Sequence, residues 1–218
     1  MGIRATLTCT ALALLPAGVG AEPLFATGDS CLACHNGLTT PSGREVSMGY
    51  DWRASMMANS ARDPYWQASV RRETLDHPGA ARAVEDECAV CHMPMSSHGT
   101  RAAGGRGAVF AHLASAGRSD RRGQLARDGV SCALCHQVEP DGLGSAASFT
   151  GGFVVASRRQ GRARRVHGPY SIEPGLRRVM RSATGFEPAR GSHVQRSALC
   201  ATCHTLYTHA RGADGRVV

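Results

Sequence analysis

The chain has 218 residues, 42% of them apolar and only 5% aromatic, and its 25 basic residues, all arginine, face 17 acidic ones for a formal charge of +8. The apolar share is that of a globular protein, which excludes a disordered chain, and the charge alone admits a nucleic-acid partner. So few rings leave little large side-chain surface for a core of this size, so something else is expected to fill part of the interior.

Residues 1–21 read as a secretory signal peptide: Arg4 forms a basic start, Ala5 to Leu15 an apolar run, Pro16 a breaker, and Val19 and Ala21 the small residues a signal peptidase reads. The mature domain is then 22–218, exported to the periplasm and soluble, because no later stretch approaches the roughly 20 apolar residues that stable membrane insertion needs. Along it, Tyr50 to Arg62 reads as a helix. Asp63-Pro64 is a cap and first-turn pair for a second helix running to about Leu75, which His77-Pro78 stops. Pro78 to His92 reads as a third helix, Gly99 to Gly107 as a loop, and Ser119 to His136 as a helix broken near Gly129. Phe149 to Ala156 is the best strand or hairpin candidate, and a last helix is expected from Ser192 through Cys200 to His209. Gly212 to Val218 reads as a turn entering a strand, which suggests a longer natural chain with room for more sites beyond Val218. The expected fold class is mostly α, with short helices, long irregular loops and little β structure.

Cys9 lies in the signal segment, which leaves eight of the nine cysteines, and every one falls in a pentapeptide of one form. These are Cys31-Leu32-Ala33-Cys34-His35, Cys88-Ala89-Val90-Cys91-His92, Cys132-Ala133-Leu134-Cys135-His136 and Cys200-Ala201-Thr202-Cys203-His204. C-x-x-C-H is the attachment sequence of c-type haem: the two thiols add to the two vinyl groups and the adjacent histidine becomes the proximal iron ligand. Four disulfides or two Cys₄ zinc sites would use the same cysteines, but neither needs a histidine after each pair. The cofactor expectation is four covalently bound haem c groups, with His35, His92, His136 and His204 on iron, and the short helices are expected to pack around them in place of an ordinary core. Their propionates offset much of the positive charge, which removes the support for nucleic acid. The cluster Arg158, Arg159, Arg162, Arg164 and Arg165 reads as a solvated face or a propionate or partner contact.

Six histidines remain: His77, His98, His112, His167, His193 and His209. A bis-histidine haem transfers electrons, whereas an open sixth position can bind a small substrate. His77 and His98 bracket the second motif and His193 precedes the fourth by seven residues, so these three are the better distal candidates; His209 is too close to His204 to reach the far face of the same haem.

The segments Trp52-Arg53-Ala54-Ser55-Met56-Met57-Ala58, Asp63-Pro64, Met93-Pro94 after the second motif, Asp128-Gly129-Val130-Ser131 before the third and Ser197-Ala198-Leu199 before the fourth carry a resemblance. Over about residues 28 to 209 the sequence resembles the tetrahaem cytochrome c domain family that includes the electron acceptor of hydroxylamine oxidoreductase. In that family a Trp-x-x-Ser-x-His segment supplies a distal histidine. Here Trp52 and Ser55 match but Met57 stands at the ligand position, so the resemblance implies thioether ligation with a raised potential, while Met56, Met57, Met93 and Met95 also suit apolar lining of haem edges. Two functions follow: an electron-transfer protein working between redox partner proteins, loaded by the haem attachment machinery, or an oxidoreductase converting a small nitrogen or sulfur compound at one open iron.

Overall fold

A computed structural model describes residues 24–114, 120–156 and 164–218. The signal-peptide reading and Arg158, Arg159 and Arg162 lie outside the described residues. The described chain is mostly helical. Eleven α-helices run α1 Gly28–Leu32, α2 Met48–Ala54, α3 Met56–Asn59, α4 Pro64–Asp76, α5 Ala81–His92, α6 Pro94–Ala102, α7 Val109–Ala114, α8 Arg121–Arg127, α9 Cys132–Cys135, α10 Pro174–Thr184 and α11 Ser197–His204. Two 3-10 turns (Ala146–Ser148, Ser192–Gln195) and two strands, β1 Arg164–Gly168 and β2 Phe186–Arg190, complete it.

Local chemistry explains most boundaries. Asp63 caps α4, its carboxylate accepting from the Tyr65 N–H at 2.9 Å, with Pro64 in the first turn. The expected helix from Tyr50 to Arg62 is instead two, because Ser55 leaves helical geometry (φ −74°, ψ 153°): its hydroxyl donates to the Trp52 carbonyl at 2.7 Å and accepts from the Ala58 N–H at 3.3 Å. One serine thus ends α2 and caps α3. Gly129 (φ 64°) separates α8 from α9, as expected; a Cβ there would lie 2.8 Å from the Met57 carbonyl, which accepts from the Val130 N–H.

Three other expectations are corrected. Gly99 lies inside α6, which Pro94 opens, so the loop starts only after Ala102. The last helix ends at His204, and Ser192–Gln195 is a separate 3-10 turn. Phe149 to Ala156 forms no strand beyond a single antiparallel bridge from Val155 to Val138, because Thr150 and Gly151 donate their N–H groups to the Thr205 and Thr202 carbonyls of the fourth-motif region instead. The real strands pair in parallel, Arg164 opposite Phe186 through Gly168 opposite Arg190, joined by a crossover containing α10.

Helix α4 packs on α5, α5 on α6 and α7, and α6 and α7 on α8. Two side-chain clusters lie between them. Ala61, Trp66, Val70, Ala89, Met93, Val109, Leu113 and Ala126 form one, and Phe25, Met95, Leu125, Ala133, Leu134 and Val155 the other. Met93 and Met95 are fully buried, one in each cluster, so α6 starts by stitching the two together around Pro94. Helix α10 is built the other way round: none of its side chains is buried, Leu176 and Val179 are each 66% exposed, and Arg177 and Arg181 turn toward Glu187 of β2.

Candidate haem-attachment sites

A helix advances 100° per residue, so in C-x-x-C-H the two cysteines and the histidine share one face and the two spacer residues take the opposite one. The four motifs lie in such turns. The second lies wholly in α5 and the fourth in α11; the third spans α9 with His136 as its cap, and the first leaves α1 through a turn in which His35 N–H still donates to the Cys31 carbonyl at 3.0 Å. Six of the eight spacers face the protein: Leu32, Ala89, Val90, Ala133, Leu134 and Thr202 are buried, whereas Ala33 is exposed and Ala201 half-buried. All eight cysteines are free thiols, half-buried or exposed. Among the described residues no group of three or more His, Cys, Asp or Glu side chains converges on a point suited to a bound ion.

Two of the expected proximal histidines are held by their Nδ1 side. The His92 Nδ1–H donates to the Ser60 carbonyl at 3.0 Å, the Ser60 hydroxyl donates back to the His92 carbonyl at 2.9 Å, and the imidazole stacks on the Trp66 indole at 4.3 Å between centroids and 7° between planes. His136 donates from Nδ1 to the His167 carbonyl at 2.5 Å and accepts at its own carbonyl from the His167 N–H at 2.6 Å. A carbonyl on Nδ1 fixes the tautomer that keeps the Nε2 lone pair for a metal. His35 and His204 are exposed. The donor set therefore fits a c-type haem at each motif: paired unbridged thiols, an imidazole beside them, and at two sites the nitrogen arrangement that iron ligation uses.

The motifs are neighbours in space. Cys31 lies within hydrogen-bonding reach of Cys132, and Cys91 of Cys203. In each pair the donor thiol, Cys31 or Cys91, is raised, and the acceptor, Cys132 or Cys203, is lowered by the bond it receives. Burial pushes Cys135 up to about 11, with Cys203, Cys132 and Cys200 close enough to add to the shift.

The distal candidates separate. His98 stands beside a cleft of about 150 Å³ that Val90 of the second motif, Gly151 and Phe153 also line, and its buried Nδ1 has no partner. Its ring lies 5.6 Å edge-on from Phe25 and 6.1 Å from Phe153. His193 is buried, but its Nε2 is engaged with the Val138 carbonyl at 2.8 Å. His77 is exposed and 3.9 Å from Glu73. Met57 is half exposed on α3, like its more exposed neighbour Met56, whereas Met93 and Met95 belong to the side-chain clusters.

Sequence reasoning missed one buried polar group. His167 packs edge-on against His193 at 4.7 Å and places Nε2 3.3 Å from Glu139. Burial lowers the His167 pKa, and Glu139 opposes that shift. The three residues come from separate parts of the chain, and no spacing signal joins them. No helix among the described residues is long and apolar enough to cross a membrane. No family model, curated protein or solved structure matches the chain.

Proposed function

We propose that this protein is an exported tetrahaem c-type cytochrome that passes electrons between redox partner proteins in the periplasm, related to the tetrahaem cytochrome c domain that its motifs resemble. The observation that carries the reading is the shared geometry of the four motifs: Cys, Cys and His on one face of a turn, at least one spacer of each motif buried on the other, and all eight motif thiols unbridged. Bound haem supplies an iron that alternates between the ferric and ferrous states. The chain's own residues do the rest. The cysteine pairs anchor, Ser60 and the His167 carbonyl orient His92 and His136, and Trp66 shields one face of the His92 ring. The close approach of Cys31 to Cys132 and of Cys91 to Cys203 supports groups packed near enough for electron exchange.

The test is a haem count by pyridine haemochrome on the exported holoprotein, with electron paramagnetic resonance before and after nitric oxide. Four haems, all low-spin and unresponsive in the ferric state, are expected. A count below four overturns the reading, and a high-spin iron that binds nitric oxide replaces electron transfer with catalysis on a small nitrogen or sulfur compound.

A further inference from the structure

A second cleft, about 340 Å³ in volume, opens beside the first motif, and its walls carry an unusual concentration of guanidinium groups: Arg53 from α2, Arg62 just before α4, and Arg127 at the end of α8. Trp52 forms an apolar wall, while Asp29 and Asp128 are the only acids lining it among the described residues. Each arginine is tethered by one nitrogen. Arg53 Nη2 pairs with Asp29, Arg62 Nη2 donates to the Ala58 carbonyl at 3.1 Å, and Arg127 Nη2 donates to the Leu113 carbonyl at 3.0 Å. Among the described residues the Nε and Nη1 groups of all three have no protein partner, so each keeps a donor edge after its position has been fixed.

The acids do not cancel this. Asp29 sits at the exposed rim with Arg53, and Asp128 turns Oδ2 to the Gly28 N–H at 2.7 Å. Arg62 and Arg127 therefore face one carboxylate between them, leaving one positive charge in excess. The wall is rigid as well: Trp52 Nε1 donates to the Val130 carbonyl at 3.2 Å, and a Cβ on Gly28 would lie 2.8 Å from its ring. Two tethered guanidinium groups beside an apolar wall suit an oxyanion, carboxylate or phosphate, because each fork matches two oxygens at once.

We propose that this cleft binds a carboxylate or similar oxyanion between Arg62 and Arg127. The inference rests on the tetrahaem reading in one respect: Asp29 lies two residues before Cys31 on α1, and Cys31 lies close enough to Asp128 to feel its charge. On that reading the occupant is a propionate of the haem attached at Cys31 and Cys34, and a free solute anion is the other source of the same chemistry.

The experiment uses the holoprotein with its haem count measured on each sample, Arg62→Gln and Arg127→Gln as the disrupting variants, and Arg62→Lys and Arg127→Lys as partners that keep the charge and lose the fork. Arg178→Gln on α10 serves as a distant control. A redox titration reads the four potentials, and calorimetry reads binding of inorganic phosphate. If a propionate occupies the cleft, each Gln variant moves one potential of the four to a more negative value, the Lys variants recover part of the shift, and wild type binds no phosphate. If a free anion occupies it, wild type binds phosphate, the Gln variants weaken binding roughly tenfold or more, and the potentials stay put. Potentials and phosphate binding both unmoved overturn the proposal. A haem count below four overturns the tetrahaem reading instead, and phosphate binding then decides the cleft alone.

Discussion

The sharpest test of the packing is Trp66. Its indole is 9% exposed, lies flat against the His92 imidazole, and belongs to the cluster containing Val70, Ala89 and Met93. Replacing a buried ring of this size by alanine costs ~3–5 kcal/mol, because transfer energy is lost and the cavity does not fully collapse. The stack itself accounts for ~0.5–1.5 kcal/mol of that. Against a total stability of about 5–15 kcal/mol for a domain, Trp66→Ala removes about a fifth or more. Trp66→Phe keeps a face for the imidazole and deletes only part of the indole, so roughly 1–2 kcal/mol is expected. Urea unfolding of the two holoproteins, followed by far-ultraviolet circular dichroism, gives both numbers from the midpoints if the slopes agree. An alanine variant within about 0.5 kcal/mol of wild type would place Trp66 among surface residues and refute the stack. Equal losses in the two variants would show that ring contact with His92 contributes nothing specific.

Other variants probe single contacts. Gly151 has φ 76°, and a Cβ there would lie 1.8 Å from Val90 Cγ1 inside the second motif; Gly151→Ala is expected to cost ~1–2 kcal/mol for the left-handed backbone and ~1–3 kcal/mol for overpacking, and an unchanged melting temperature would contradict that contact. Asp63→Ala removes the α4 cap and should cost ~0.5–2 kcal/mol by the same urea assay, with Asp63→Asn recovering most of it. For His112, buried with Nδ1 3.2 Å from Ser96 Oγ, burial lowers the pKa below the usual 6.5. The unfolded chain then takes up the proton first as pH falls, so its contribution to stability is complete above about pH 6.5 and is lost below it, by at most ~1.4 kcal/mol per pH unit. His112→Gln should flatten the pH dependence of the urea midpoint below about pH 6.5, and an unchanged slope would show that the ring is not held neutral.

Local signals were legible where one or two residues decide the outcome. Asp63-Pro64 starts a helix by capping chemistry alone, Gly129 breaks one because of its backbone freedom, and C-x-x-C-H carries its own face geometry. Ser55 was missed because a serine inside a helical run either faces solvent or caps a new turn, and the Val130–Met57 hydrogen bond, 73 residues apart, favours the second. The strands were missed for a similar reason: Arg164–Gly168 reads as a charge run, and its parallel partner lies beyond an intervening helix, so no alternation of five residues betrays it. Phe149 to Ala156 has the composition of a strand, yet the Thr202 and Thr205 carbonyls take two of its N–H groups for a different purpose.

The arrangement of the sites depends on the same long-range contacts. In the chain the motifs run first to fourth, but the thiol contacts link the first to the third through Cys31 and Cys132, and the fourth to the second through Cys203 and Cys91. Cys135 lies near enough to Cys203 and Cys200 to join the two pairs, so the order in space is first, third, fourth, second. The spacers explain why. Ala133 and Leu134 sit in the cluster with Phe25 and Met95, Ala89 sits in the other, and α6 joins the clusters around Pro94. The second and third motifs are thus positioned by apolar residues between their cysteines, while the cysteines determine what each motif can bind. A variant at Leu134 or Ala89 should displace a site without altering its chemistry, and a variant at Cys132 or Cys88 should do the reverse.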